Sequence, residues 1–185
     1  MSGSQAIIDA TRRWISSVVI GLNLCPFAQR VFQGDLIRYV VTMADDAEDL
    51  RTALAEELSF LAASPIGVVE TTILIHPHAL TRFSDYCDFL SVAERLVKTK
   101  GLIGVIQIAS FHPQFQFADA DVDAVENFTN RSPYPMLHLL REESVSKVAD
   151  GAIDLLDIPR RNATTLRHMG REKILAMLRT AAHKP

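Results

Sequence analysis

Apolar residues recur at helical spacing near the start of the chain, where Ile7, Ile8, Trp14, Ile15, Val18, Val19 and Leu22 fall on one face and Gly21 stands near the stop. This predicts a first helix. Residues 36–42 are short and β-branched, which predicts a strand. Asp45 and Glu48 then form a capping box for a helix carrying Leu50, Leu54, Leu58 and Leu61, closed by Pro65 and Gly67. Residues 68–75 predict a buried strand, 85–98 a helix ended at Gly101, and 103–110 a third strand. Pro135 suits the first turn of a helix through Leu137, Leu140 and Val148, and Pro159 does the same for a terminal helix through Leu166, Ile174 and Leu178.

Alternating strands and helices favour crossover connections, so the expected class is α/β. We expect a small parallel or mixed sheet of three to four strands covered by helices, in a single domain spanning residues 1–185. A short edge strand at residues 115–117 would make a ferredoxin-like α+β arrangement the alternative. With 185 residues, 48% hydrophobic and 22% charged, the chain can bury one sizeable core. A net charge of -3 provides no basic field, so neither nucleic acid nor an anionic membrane surface is an expected partner. The early apolar run is broken by Asp9, Arg12 and Arg13 and resembles neither a signal peptide nor a membrane span, and a cytoplasmic location is expected. Cys25 and Cys87 lack CxxC or zinc spacing and are expected to be free thiols.

Candidate chemistry concentrates in residues 110–144, a polar stretch that begins where the third strand ends. Ligands of open α/β sheets bind beyond the carboxyl ends of the strands, and parallel strands would bring His76 and His78 toward His112 there. About 25 residues without periodicity, from 111 to 135, are long for a plain connection. They can be functional, or Phe111, Phe115, Phe117, Phe128 and Tyr134 can simply pin the loop to the core. On the predicted helix, His138, Arg141 and Glu142 stand at i, i+3 and i+4 and share a face. His112 or His138 could move protons with Glu142 orienting the imidazole, while Asn130, Arg131 and Arg141 could hold an anion near a helix start. The structural reading of the same residues is a surface histidine beside an Arg–Glu pair, with Ser132 capping the helix.

No HExxH, GxxxxGK or GxGxxG motif occurs, and neither a metal nor a cofactor is expected. The hexapeptide "CPFAQR" resembles the active-site turn of omega-class glutathione transferases, where a helix start stabilises a thiolate. That fold needs a strand before the cysteine, and here a helix is predicted, so Cys25 is expected to be a shielded structural thiol. Three function classes stay open. The first is an enzyme or binding protein for a small anionic metabolite, the second a non-catalytic interaction or assembly domain (a homo-oligomer included), and the third a thiol enzyme using Cys25.

The segments "GLNLCPFA", "ETTILIHP", "DYCDFL", "QIASFHPQFQFA" and "NFTNRSPYPMLHLLREESV" together resemble a family of bacterial proteins known as DUF1415, over nearly the whole chain. The resemblance implies a bacterial origin. It also implies that Cys25, Glu70, His112, Asn130, Arg131, His138, Arg141 and Glu142 sit in family motifs. His78 and Cys87 depart from those motifs, which weakens any metal site built on His76 and His78.

Overall fold

The computed structural model describes residues 3–149 and 157–182. Helix α1 (Gly3–Trp14) runs directly into a π-helical turn (Ile15–Ile20), so the first predicted helix ends in a widened turn. Glycine is required just after it, because a Cβ on Gly21 would lie 2.3 Å from the carbonyl oxygen of Ser17. There follow α2 (Ala28–Gln33), β1 (Ile37–Val41), α3 (Ala47–Ala63), β2 (Thr71–Ile75), α4 (Phe83–Thr99) and β3 (Ile106–Phe111). A 3-10 helix (Val125–Thr129) precedes β4 (Met136–Arg141), α5 (Glu142–Ala149), α6 (Ile158–Met169) and α7 (Arg171–Ala182). None of the described helices is long and apolar enough to cross a membrane.

The expected α/β class holds, with a four-stranded mixed sheet in the order β1-β2-β4-β3. Strands β1 and β2 are parallel, and β4 is antiparallel to both β2 and β3. The ferredoxin-like alternative needed a strand at residues 115–117, and that segment forms none. The fourth strand comes from residues predicted to be helical. Pro135 and the leucines of "MLHLLR" fit a helix start locally, yet the segment lies between two strands that hydrogen-bond both its edges, and this tertiary pairing overrides propensity. The other corrections are smaller: α2 was not predicted, the α3 cap is Asp46 rather than Asp45, and Gly170 at φ +81° divides the terminal helix into α6 and α7.

Period-two alternation gives the sheet two buried faces. Ile37, Ile73, Ile75 and Met136 pack beneath α1, the π-helical turn, α2, α6 and α7, with Phe128 and Trp14 in the same cluster. Leu74, Leu137, Leu139 and Ile106 pack on the other face against Leu50, Leu54, Leu58 and Leu61 of α3 and Tyr86, Phe89 and Ala93 of α4. Those four α3 leucines are wholly buried, each worth roughly 1.5–3 kcal/mol of transfer free energy.

Several polar side chains on these faces have internal partners, whereas the Tyr39 and Thr72 hydroxyls have none among the described residues. Arg38 of β1 holds the α3 residue Glu57 through two bonds of 2.8 and 3.0 Å and lies over the Phe60 ring. Tyr86 donates to the Met136 carbonyl and accepts from the Phe111 amide, tying α4 to β4 and β3. Arg141 is buried on the α3 side and donates to the carbonyls of Leu61, Ser64 and Val69, which satisfies the open end of α3.

Arg141→Ala should therefore cost about 1–3 kcal/mol in urea unfolding, because it strands buried carbonyls. A change below about 0.5 kcal/mol, the usual size for a surface substitution, would mean that these bonds hold nothing together.

Candidate functional site

The expected site splits between the two faces of the sheet. His138 lies on the face with Met136 and Leu140 and touches the Phe111 ring at 6.2 Å between centroids, whereas His112 packs against Phe83 and Tyr86 of α4. The i, i+3, i+4 relation of His138, Arg141 and Glu142 does not exist, because on a strand His138 and Arg141 point to opposite faces. Glu142 begins α5 and lines a shallow groove beside β3 with Glu94, Arg95 and Lys98, so it does not orient His138.

Strands β2 and β3 do run in the same direction, and His76 and His112 meet as expected, both against the Tyr86 ring. His78 is exposed and takes no part. Both nitrogens of His112 are used: Nδ1 accepts from the Gln114 amide and Nε2 donates to the Leu80 carbonyl. His76 Nδ1 donates to the Ala79 carbonyl. The two imidazoles thus hold the turn at residues 76–81, where Leu80 adopts φ +52°, a strained conformation for a leucine.

The polarity of the 111–135 loop has a structural cause. Without ladder partners, its backbone groups are met by its own side chains. Asn127 accepts from the Phe117 amide and donates to the Asp121 carbonyl, and Asn130 donates to the Ser110 carbonyl. Arg131 donates to the carbonyls of Phe115 and Val122 and stacks over the Phe128 ring. Ser132 bonds the Tyr134 carbonyl and caps no helix. The donors expected to clamp an anion, on Arg131 and Arg141, are therefore engaged with backbone carbonyls. Asp45, Asp46 and Asp49 bring ligand atoms within 4.8 Å of one another, but they are exposed at the start of α3, where Asp46 accepts from the Asp49 amide.

A different set of residues converges. Between the sheet and the segment running from Trp14 to Val31 lies a cavity of about 70 Å³. Its walls are apolar, formed by Trp14, Ile15, Val19, Phe27, Val31, Ile37, Ile73, Phe111, Met136 and Leu140, and its polar lining is Cys25, Arg30, Glu70, Thr71, His138 and Ser144. The π-helical turn and the loop at Cys25 form one wall, and the sheet forms the other. Glu70 accepts from Arg30 at 3.3 Å and from the Ser144 hydroxyl at 2.5 Å. Burial pushes the Glu70 carboxyl up, but the Ser144 hydroxyl and the Arg30 guanidinium outweigh it, and the net shift is downward. The Arg30 side chain is 55% exposed and marks the mouth.

Thr71 fixes the state of His138. The Thr71 hydroxyl gives its single proton to the Leu139 carbonyl at 2.5 Å, so its 2.7 Å contact with His138 requires Nε2–H of the imidazole to donate to Thr71 Oγ1. The neutral ring then carries its lone pair on Nδ1, which has no hydrogen-bond partner among the described residues. Burial also holds the His138 pKa down, to about 4. Cys25 is half-buried, and burial raises its thiol pKa, against the pull of the Phe27 and Ala28 amides. That agrees with the expected shielding of Cys25, yet the residue lines the cavity. Thr71, Arg30, Ser144 and Trp14 were not foreseen. A period-two reading of "MLHLLR" was the signal that would have placed His138 on a strand and Thr71 across from it.

Two histidines whose native pKa values lie near 4, His76 and His138, make stability depend on pH. The unfolded chain binds these protons below its ordinary value of 6.5 while the native state resists them, so their contribution is complete above pH 6.5 and is lost as pH falls toward 4. Urea midpoints should fall across that window, and His76→Asn, which can still donate to Ala79, should flatten the slope. An unchanged slope would show that His76 protonates as easily in the folded state as in the unfolded one.

Comparison with curated proteins and with solved structures gives no match. The family model described as a protein of unknown function, DUF1415, matches residues 6–176 of the 185, and the chain belongs to that family.

Proposed function

We propose that this protein binds a small molecule in the cavity between the π-helical turn and the sheet, and that any chemistry takes place at the polar end formed by His138, Cys25 and the Arg30–Glu70–Ser144 network. The observation that carries this reading is His138, a neutral imidazole set in place by Thr71 with its Nδ1 acceptor unmet. A well-formed apolar pocket with a few convergent polar groups is the usual form of a metabolite site. A single water needs about 10–15 Å³ of such space, so the cavity takes a compact group of several heavy atoms. A base with a pKa near 4 abstracts protons poorly at neutral pH, so His138 is assigned to binding and orientation rather than to proton transfer.

Ala28 lines the cavity, and Ala28→Leu should fill part of it. A thermal-shift screen of small metabolites should find compounds that raise the melting temperature of the wild type, by the equivalent of about 2.7 kcal/mol at a hundredfold excess over Kd. The same compounds should leave Ala28→Leu unmoved. A stabilising compound that acts equally on both proteins would place the site elsewhere, and a screen without any hit would remove the reading.

A second reading, thiol chemistry, is favoured by the backbone of Phe27 and Ala28, which pulls the Cys25 thiol pKa down, against burial, at the cavity wall. With a raised pKa the resting thiol is neutral, so iodoacetamide at neutral pH should modify the exposed Cys87 well before Cys25. Native Cys25 reacting faster than a free thiol would put thiol catalysis ahead of simple binding.

A further inference from the structure

We propose that the cavity selects an uncharged head group carrying both a hydrogen-bond acceptor and a donor, of the carboxamide or hydroxyl type, with the acceptor held by Trp14 and the donor by His138. This rests on the cavity being the binding site and assigns the chemistry of its ligand. Trp14 is 2% exposed and lines the cavity, and its indole Nε1–H is buried without a hydrogen-bond partner. A buried donor left unmet is costly, and a ligand acceptor removes that cost. The unmet acceptor in the same cavity is His138 Nδ1, on the facing sheet wall. Both rings pack against Phe111, with centroids 5.3 Å away for Trp14 and 6.2 Å for His138, so the two groups border the same phenyl ring of the lining.

The remaining lining argues against a charged head. Arg30 and Glu70 neutralise each other at the mouth, leaving no net charge for an ionic partner. The walls are otherwise apolar, and the same surroundings hold His138 and Cys25 in their neutral forms. A carboxylate or an ammonium ion would lose its hydration there without finding a counter-charge. A carboxamide offers a carbonyl oxygen to Trp14 and an N–H to His138, and a hydroxyl offers the same pair from one atom.

Trp14 is the only tryptophan in the chain, so the indole N–H gives a single resonance that reports this contact. Propionamide, 1-propanol, propionate and propylammonium would be titrated into 15N-labelled full-length protein at pH 7.5. Propionamide and propanol should saturate shifts of the Trp14 indole N–H, and Trp14→Phe should weaken propionamide roughly fivefold, the worth of one hydrogen bond. His138→Phe should weaken it similarly while leaving the indole resonance in place as a reporter. Equal or tighter binding of propionate or propylammonium would overturn the neutral-ligand inference and leave the cavity site standing. Shifts confined to aliphatic wall residues, with the indole unmoved, would also overturn it. Absence of any shift in cavity residues with all four probes would reject the inference together with the site on which it rests.

Discussion

A sheet buried on both faces has no solvent to satisfy the polar groups that its strands carry, and this constraint shapes most of the molecule. Arg38, Thr71, His138 and Arg141 all point from strands into layers of helix. Each is tolerated because a specific internal group meets it: Glu57 for Arg38, the Leu139 carbonyl for Thr71, Thr71 for His138, and three carbonyls in and beyond the last turn of α3 for Arg141. Removing one partner would expose the other to an environment that cannot compensate. The helices on either side are thus positioned by these bonds as well as by apolar contact.

The three parallel-running strands and the two long amphipathic helices were legible because their signals are local: β-branched runs, leucines at helical spacing, and short Gly or Pro breaks. Residues 136–141 were not, because leucine fits both states and Pro135 resembles a helix start; what decides the matter is pairing to β2 and β3, which spacing along the chain does not encode. Mistaking that one strand moved His138 and Arg141 onto a common face and produced the apparent site. The concentration of polar residues at 110–144 is legible in the sequence as unusual. Its cause is a loop that supplies its own hydrogen bonds, and Cys25, expected to be a structural thiol with thiol chemistry as the alternative, lines the cavity.

The buried histidines show how one residue type serves two ends. His112 has both nitrogens engaged by backbone groups and, with His76, braces a strained turn. His138 has one nitrogen bound and one unmet, with its tautomer dictated by the directly bonded Thr71, and His76 likewise leaves Nε2 unmet among the described residues. Of the two, only His138 lines the cavity, where a ligand can reach it.

The position of β4 also governs the order in which the molecule can be assembled. It is the last strand in sequence but sits between β2 and β3, so the β1–β2 pair and β3 share no hydrogen bonds until residues 136–141 arrive. Before then, β2 and β3 present open, apolar edges of the kind that pair with other chains. Completion waits on contacts that span more than sixty residues from β2, such as Thr71 with Leu140, and long-range pairing of this sort slows folding. A nascent chain that has not yet made β4 is therefore at its most vulnerable to self-association, and the last strand acts as the keystone that closes the sheet.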